Sequence, residues 1–284
     1  MRNLLLLFFT LPLLATAQDF HFSARLGMMG YNGDLKAHPV TLSQTKPMIS
    51  LGARYDLTEH IMARSYFTYG ALTASDKKGT ASMQARNLDF STRLLDFELG
   101  AQYNIFNLNE KWWTPYVFAG IGAFHFNPYT KDAAGTKYFL KPLSTEGEGF
   151  VPGINNYSLT QFSVPLGFGA EYLFDEDHRV GLEFSYRTLF TDYLDDVSSR
   201  YVDQGDLSKA RGPKAVELAY RGDEVRNSSY PTAGEIRGNP KQKDGYYYVA
   251  LTYTFRFWFN KYKETSGLPG GKQDKKVGCP ANRY

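Results

Sequence analysis

Cysteine is nearly absent from this chain. Cys279 is the only one in 284 residues, so no intrachain disulfide can form, whatever the redox compartment. Long hydrophobic runs are scarce as well. After Leu14 no stretch approaches 18 consecutive apolar residues, and the mean hydropathy is −0.40, which excludes helical membrane spans. Charge of one sign is lacking: the net charge of +3 gives no basis for a nucleic-acid partner. Nucleophile elbows, phosphate loops, paired-histidine metal helices and dinucleotide fingerprints are missing. The five histidines, at positions 21, 38, 60, 125 and 178, stand apart from one another without ligand spacing. No cofactor is implied.

What is present is a leader and a repeating strand pattern. Met1-Arg2-Asn3 is a positive start, Leu4 to Leu14 is apolar, and Ala15-Thr16-Ala17 supplies small residues for cleavage. The run is too short for the ~20 residues a spanning helix needs. Residues 1–17 therefore read as a signal peptide, which exports the remainder. The mature chain is unusually aromatic, with 21 Tyr and 21 Phe, and carries 26 Gly. That mixture suits a membrane barrel with an aromatic outer wall and an interior that needs small residues.

The apolar period is two rather than 3.6. Phe22, Ala24, Leu26 and Met28 alternate with His21, Ser23, Arg25 and Gly27. Seven further segments behave alike: 49–57, 61–69, 95–104, 115–126, 162–172, 180–187 and 247–257. The fifth, Pro115 to Phe126, is apolar on both faces, so its pattern alone does not orient it. A soluble barrel would turn its apolar face inward. Here the apolar faces are continuous and aromatic, while charges on the opposite faces are set among Gly and Ser. Those charges fit a narrow polar lumen, in which Arg25, Arg64, Glu98, Glu171, Glu183 and Arg187 form a candidate charge network. An open pore is not expected, because side chains nearly fill an eight-stranded interior.

Connections alternate in length. Thr58 to His60, Phe106 to Trp113 and Asp175 to His178 are short, whereas 31–46, 72–88, 127–157 and 191–244 are long. Short periplasmic turns and long external loops produce this alternation. The expected fold is all-β: an eight-stranded antiparallel transmembrane β-barrel spanning residues 18–259 in the outer membrane. It has long extracellular loops, both termini in the periplasm, and outer-membrane lipid around it. Trp112 and Trp113 fall at a membrane edge. The last strand ends Phe255-Arg256-Phe257-Trp258-Phe259, an aromatic close suited to an assembled barrel.

Residues 260–284 form a flexible, basic periplasmic tail. It is either a disordered end or a partner-contact segment, with Lys272, Lys275, Lys276 and Cys279 as the candidate contact residues. The acidic run Thr191-Asp192-Tyr193-Leu194-Asp195-Asp196 has two readings. It offers carboxylates for calcium or acid–base chemistry. The structural reading, which is favoured, has it capping turns or pairing with Arg200 and Arg211. A rim-located lipid enzyme would need His125, Ser158 and Asp192 gathered together, and no motif joins them.

Several stretches also carry a family resemblance. Thr114-Pro115-Tyr116-Val117-Phe118-Ala119-Gly120-Ile121-Gly122, Phe126-Asn127-Pro128 and Leu143-Ser144-Thr145-Glu146-Gly147-Glu148-Gly149 belong to it. So do Gly33-Asp34-Leu35, Arg187 to Ser198, Arg237-Gly238-Asn239 and Cys279-Pro280, with Tyr193-Leu194-Asp195-Asp196-Val197-Ser198 the most specific. Together they resemble the PorG-like outer-membrane component of the type IX secretion system. The resemblance covers most of the mature chain. It implies a non-catalytic, eight-stranded barrel associated on its periplasmic side with ring proteins of an export machine. A paralogous surface barrel, acting as an adhesin or ligand binder, would carry the same pattern.

Overall fold

The computed structural model describes residues 20–257 except 109 and 176. Ten strands form one antiparallel sheet. They are β1 (Phe20–Asn32), β2 (Lys46–Asp56), β3 (Ile61–Ser75), β4 (Asp89–Asn104), β5 (Trp113–Phe126), β6 (Tyr129–Lys131), β7 (Lys137–Phe139), β8 (Thr160–Leu173), β9 (His178–Leu189) and β10 (Gly245–Phe257). Strands β6 and β7 make a small hairpin within a loop. The other eight close on themselves, β10 pairing with β1 from Phe20↔Phe257 to Asn32↔Gly245. Closure removes sheet edges, which is the only way strands can cross a bilayer without unpaired backbone groups.

Alternation decides which side chains face out. Along β4, Leu95, Phe97, Leu99 and Tyr103 are exposed on the outer wall, while Asp96, Glu98, Gln102 and Asn104 are buried inside. The exterior band also includes Leu26, Ile49, Leu51, Phe67, Val117, Ile121, Phe162, Phe168, Leu182 and Leu251. Such a surface is stable only against lipid. Trp112 and Trp113 are exposed at the turn end.

Strand β5 takes the orientation its sequence left open. Tyr116, Phe118, Phe124 and Phe126 point inward, and Val117 and Ile121 point outward. Both faces are apolar because the interior changes character along the barrel. Near the turns it is charged. Towards the loops it becomes aromatic, with Tyr31, Phe90, Phe124, Phe126 and Tyr246 packed together.

The short turns are closed by their own side chains. Thr58 Oγ1 accepts from the His60 and Ile61 amides, and Asp175 Oδ1 accepts from the Asp177 and His178 amides. At the opposite end the β3–β4 hairpin outruns the expected boundaries at Tyr69 and Leu95. Its ladder continues from Gly70↔Leu94 to Ser75↔Asp89. Alternation persists there, but Ala71, Thr73 and Ser91 replace the large outward residues, so the extension leaves the apolar band.

The longest loop, 190–244, holds three short helices: α2 (Gln204–Arg211), α3 (Pro213–Ala219) and α4 (Asp223–Arg226), following α1 (Ala81–Arg86) in an earlier loop. Asp203 caps α2 by accepting from the Asp206 amide, and Gly212, at φ 88°, ends it before Pro213 opens α3. Leu207, Ala215 and Ala219 from these helices pack with Val202 as a second, small core. Among the described residues, no helix is long and apolar enough to cross a membrane.

Candidate functional site: a charge-filled lumen beneath a carboxylate-rich cap

All six sequence-derived lumen residues lie inside the barrel and are buried. Three more, Arg54, Asp96 and Arg179, join them, so five guanidiniums (Arg25, Arg54, Arg64, Arg179, Arg187) are buried with four carboxylates (Asp96, Glu98, Glu171, Glu183). Nearest the turns, Arg54 Nη1 donates to both oxygens of Glu171 at 2.9 and 2.7 Å, and Gln102 donates to the same carboxylate at 3.0 Å. One layer further in, Arg64 bridges two strands. Its Nε donates to Glu98 at 2.8 Å, and its Nη2 donates to Glu183 at 2.9 and 3.2 Å.

Glu183 is the hub. Tyr116 and Tyr248 hydroxyls donate to it at 2.8 and 2.6 Å, and Arg25 Nε lies 3.3 Å from it without hydrogen-bond alignment. Towards the loops, Arg187 pairs with Asp96 at 3.1 Å and with Glu98. Aromatic faces complete the desolvation. Arg25 stands 3.1 Å from the Tyr66 ring centroid, and Arg64 stands 3.5 Å from that of Phe118. Glycines provide the room: a Cβ on Gly169 would fall 2.5 Å from the Tyr116 ring. The layers leave the barrel cross-section occupied by paired charge.

Arg54 and Asp96 were legible as members of polar faces, since both keep the phase of their strands. The tyrosines were harder to find. Tyr66, Tyr116 and Tyr248 look like wall residues in composition, and only their phase marks them as inward.

Above the aromatic layer, the loops tie into a cap. Glu146 accepts from the Ser198 and Ser199 amides at 2.8 Å each and from Arg237 at 2.9 Å. Asp196 accepts from Thr145 and Tyr157 hydroxyls, both at 2.7 Å. Asp195 accepts from the Tyr31 hydroxyl and the Val197 amide; Asp244 accepts from Tyr31 and the Leu194 amide. Tyr157 and Tyr193 stack at 4.9 Å. Burial pushes Asp196 up to about 6 against the pull of Arg237, and burial likewise holds Asp192 at about 6. Glu148, buried beside Asp196 and Glu146, rises to about 8. Burial also lifts Asp195 and Asp244 well above the usual carboxylate range.

The acidic run therefore does not pair with Arg200 and Arg211. Arg200 donates to the Gly234 carbonyl and Arg211 to Ser144 Oγ. Asp195 and Asp196 take hydroxyl donors from Tyr31, Thr145 and Tyr157, and Asp192 and Asp195 take the Ser198 hydroxyl and Val197 amide of their own loop. Turn formation at buried backbone amides needs acceptors, and these short side chains supply them.

The outer membrane protein β-barrel domain matches residues 3–209, well over half of the chain. The chain belongs to that family. Solved structures similar to this outer membrane barrel include Neisserial surface protein A, at 9% identity and TM-score 0.41, covering 85% of this chain and 100% of that one. OprG from Pseudomonas aeruginosa gives 9% identity and 0.43, with 85% and 96% covered. Ail of Yersinia pestis gives 9% and 0.37, with 84% and 97% covered. No curated protein matches.

For this outer membrane barrel, the remaining site expectations divide in two. His125, Ser158 and Asp192 are not brought into a relay. His125 bonds Thr160 Oγ1, Ser158 donates to the Thr160 carbonyl, and Asp192 accepts from Ser198. The expected signal peptide 1–17, the expected strand end Trp258-Phe259, the segment 260–284 and its candidate contact residues Lys272, Lys275, Lys276 and Cys279 lie outside the described residues.

Proposed function

We propose that this chain is a non-enzymatic outer-membrane barrel that anchors or scaffolds the periplasmic ring of a type IX protein secretion machine. The observation that carries the reading is the filled lumen. Paired charges at mid-barrel and a folded cap make the interior unsuited to conduction, so its working surfaces are its wall, its loops and its ends. The described ends Phe20 and Phe257 pair with each other at the turn end. In the proposed orientation that end faces the periplasm, and the basic tail meets the ring there. The choice of a secretion machine rests on the resemblance of Arg187 to Ser198, 143–149 and 237–239. These segments, far apart in sequence, meet in the cap through Glu146, Asp196 and Arg237.

Affinity purification of the tagged barrel from cross-linked outer membranes, with and without residues 260–284, tests this. Tail-dependent recovery of periplasmic ring proteins is the expected result, together with a cargo-export defect on gene deletion. Recovery of the barrel alone from both forms, with normal export, would refute it.

The folded loop 190–244, with its own small core, favours a second reading: a paralogous surface barrel acting as an adhesin or ligand binder. Surface proteolysis of that loop without loss of host or ligand binding would dismiss it. A rim lipid enzyme is the weakest alternative, and an unchanged lipid composition on overexpression would count against it.

A further inference from the structure

The outer wall of β4 changes chemistry abruptly at its loop end. Reading outward-facing positions from the turn side, Tyr103, Ala101, Leu99, Phe97 and Leu95 are followed by Arg93, which is exposed. Ser91 comes next and pairs with Tyr129 of β6. Cross-strand partners share a face. Tyr129↔Phe139 and Lys131↔Lys137 therefore continue the same outward column on the β6–β7 hairpin. Lys137 Nζ sits 3.8 Å from the Tyr129 ring centroid and 4.3 Å from that of Phe139, so both aromatic rings and the cation face outward together.

Arg93, Lys131 and Lys137 are exposed and, among the described residues, make no ion pair. The carboxylates beside them are occupied. Asp89 is taken by Arg221 and Thr130, and Asp132 by Lys214 and the Ala134 and Thr136 amides. Three cations thus top an apolar column, with aromatic rings between them. Four residues of extended chain at ~3.3 Å each set Arg93 and Lys131 about 13 Å apart.

We propose that this column is a docking face for a phosphate-bearing glycolipid head group of the leaflet that meets the loop end. The apolar band below holds the acyl chains, Tyr129 and Phe139 lie at head-group depth, and Arg93 and the lysine pair take separate phosphates. Continuity with the lipid-facing wall is what selects a lipid over a soluble anion. Aromatic residues and cations are favoured at that depth, and guanidinium and ammonium groups bind phosphate by charge-assisted hydrogen bonds. The proposal is independent of any role in secretion.

Native mass spectrometry of the full chain in neutral detergent tests it. The probe is a bis-phosphorylated, multiply acylated glucosamine disaccharide, compared with its dephosphorylated form and with inorganic phosphate. Wild type should retain the phosphorylated lipid, bind the dephosphorylated form at least ten-fold more weakly, and release little lipid to equimolar phosphate. The variant R93Q/K131Q/K137Q should lose at least ten-fold in affinity, as removal of three interfacial cations predicts, and R93K/K131R/K137R should keep it. Should the triple variant not fold, R93Q alone and K131Q/K137Q should each lose part of the affinity. Equal binding by the neutral variants, or equal binding of the dephosphorylated lipid, would overturn the proposal. Displacement by equimolar inorganic phosphate would reassign the column to a soluble anion.

Discussion

Replacing Glu183 by Gln tests whether the lumen is held by desolvated charge. Glu183 is fully buried and receives two donor contacts from Arg64, one each from Tyr116 and Tyr248, and the close approach of Arg25. Gln keeps the shape and one acceptor oxygen. It also removes the negative charge and turns an amide donor towards guanidinium donors. Removing one partner of a buried pair costs about 3–5 kcal/mol, because the surviving charge stays buried and uncompensated. The lower half of that range is expected here, since one acceptor oxygen remains and Arg64 keeps its bond to Glu98. Urea unfolding in small vesicles, followed by Trp fluorescence and by heat-modifiable gel mobility, would read the change. Lys209→Gln, in an exposed pair with Asp206, is the control and should leave the transition in place. Adding Arg64→Met to Glu183→Gln should recover part of the loss, because the guanidinium that lost one of its two carboxylates is then removed while Glu98 keeps Arg187. A loss below about 1 kcal/mol for Glu183→Gln would show that water shares the lumen, and the argument from desolvation would fail.

Other outcomes follow from the same structure. Gly169→Val should drive the Tyr116 ring from its place, break its 2.8 Å bond to Glu183 and lower the unfolding midpoint, as the same urea series would show. Tyr157→Phe removes the 2.7 Å donor to buried Asp196 and should cost the cap about 1–3 kcal/mol. Amide-exchange protection at 193–198 would register that loss, and unchanged protection would contradict the assigned bond. The raised carboxylates Asp192, Asp196 and Glu148 bind protons more tightly in the folded cap than in an open one. Stability of the cap is therefore fully present below about pH 4 and declines as pH rises through about 6 and then about 8. Exchange at 144–151 and 192–198, corrected for intrinsic rates, should be slower at pH 5 than at pH 9, and the reverse order would refute the assignment. In planar bilayers the purified barrel should give no steady conductance, since charge pairs occupy its cross-section.

Much of the barrel was legible because a strand in a membrane has only two environments, and period two reports them directly. Arg64, Glu98 and Glu183 could be placed inside by phase alone. Phase cannot say which charges meet. Arg54 and Glu171 come from β2 and β8, whose proximity depends on closure, so that pair needed the three-dimensional structure. Strand β5 resisted reading for a different reason: Phe118 faces inward to cover Arg64, and Phe124 belongs to the aromatic layer, so apolar character stopped marking the outside. The cap was the least legible part. Asp195 and Asp196 find donors on Tyr31 of β1 and on Thr145 and Tyr157 of the 127–157 loop. No local spacing encodes such a meeting.

The cross-barrel pairing also bears on how this chain must be made. Arg54 and Glu171 are 117 residues apart, and Arg64 and Glu183 are 119 apart. Isolated hairpins from the first half would carry Arg25, Arg54 and Arg64 with only Asp96 and Glu98 to answer them. Entering lipid in that form would strand positive charge in hydrocarbon. Insertion ahead of ring closure is therefore disfavoured relative to insertion in which the late strands bring Glu171 and Glu183 with them.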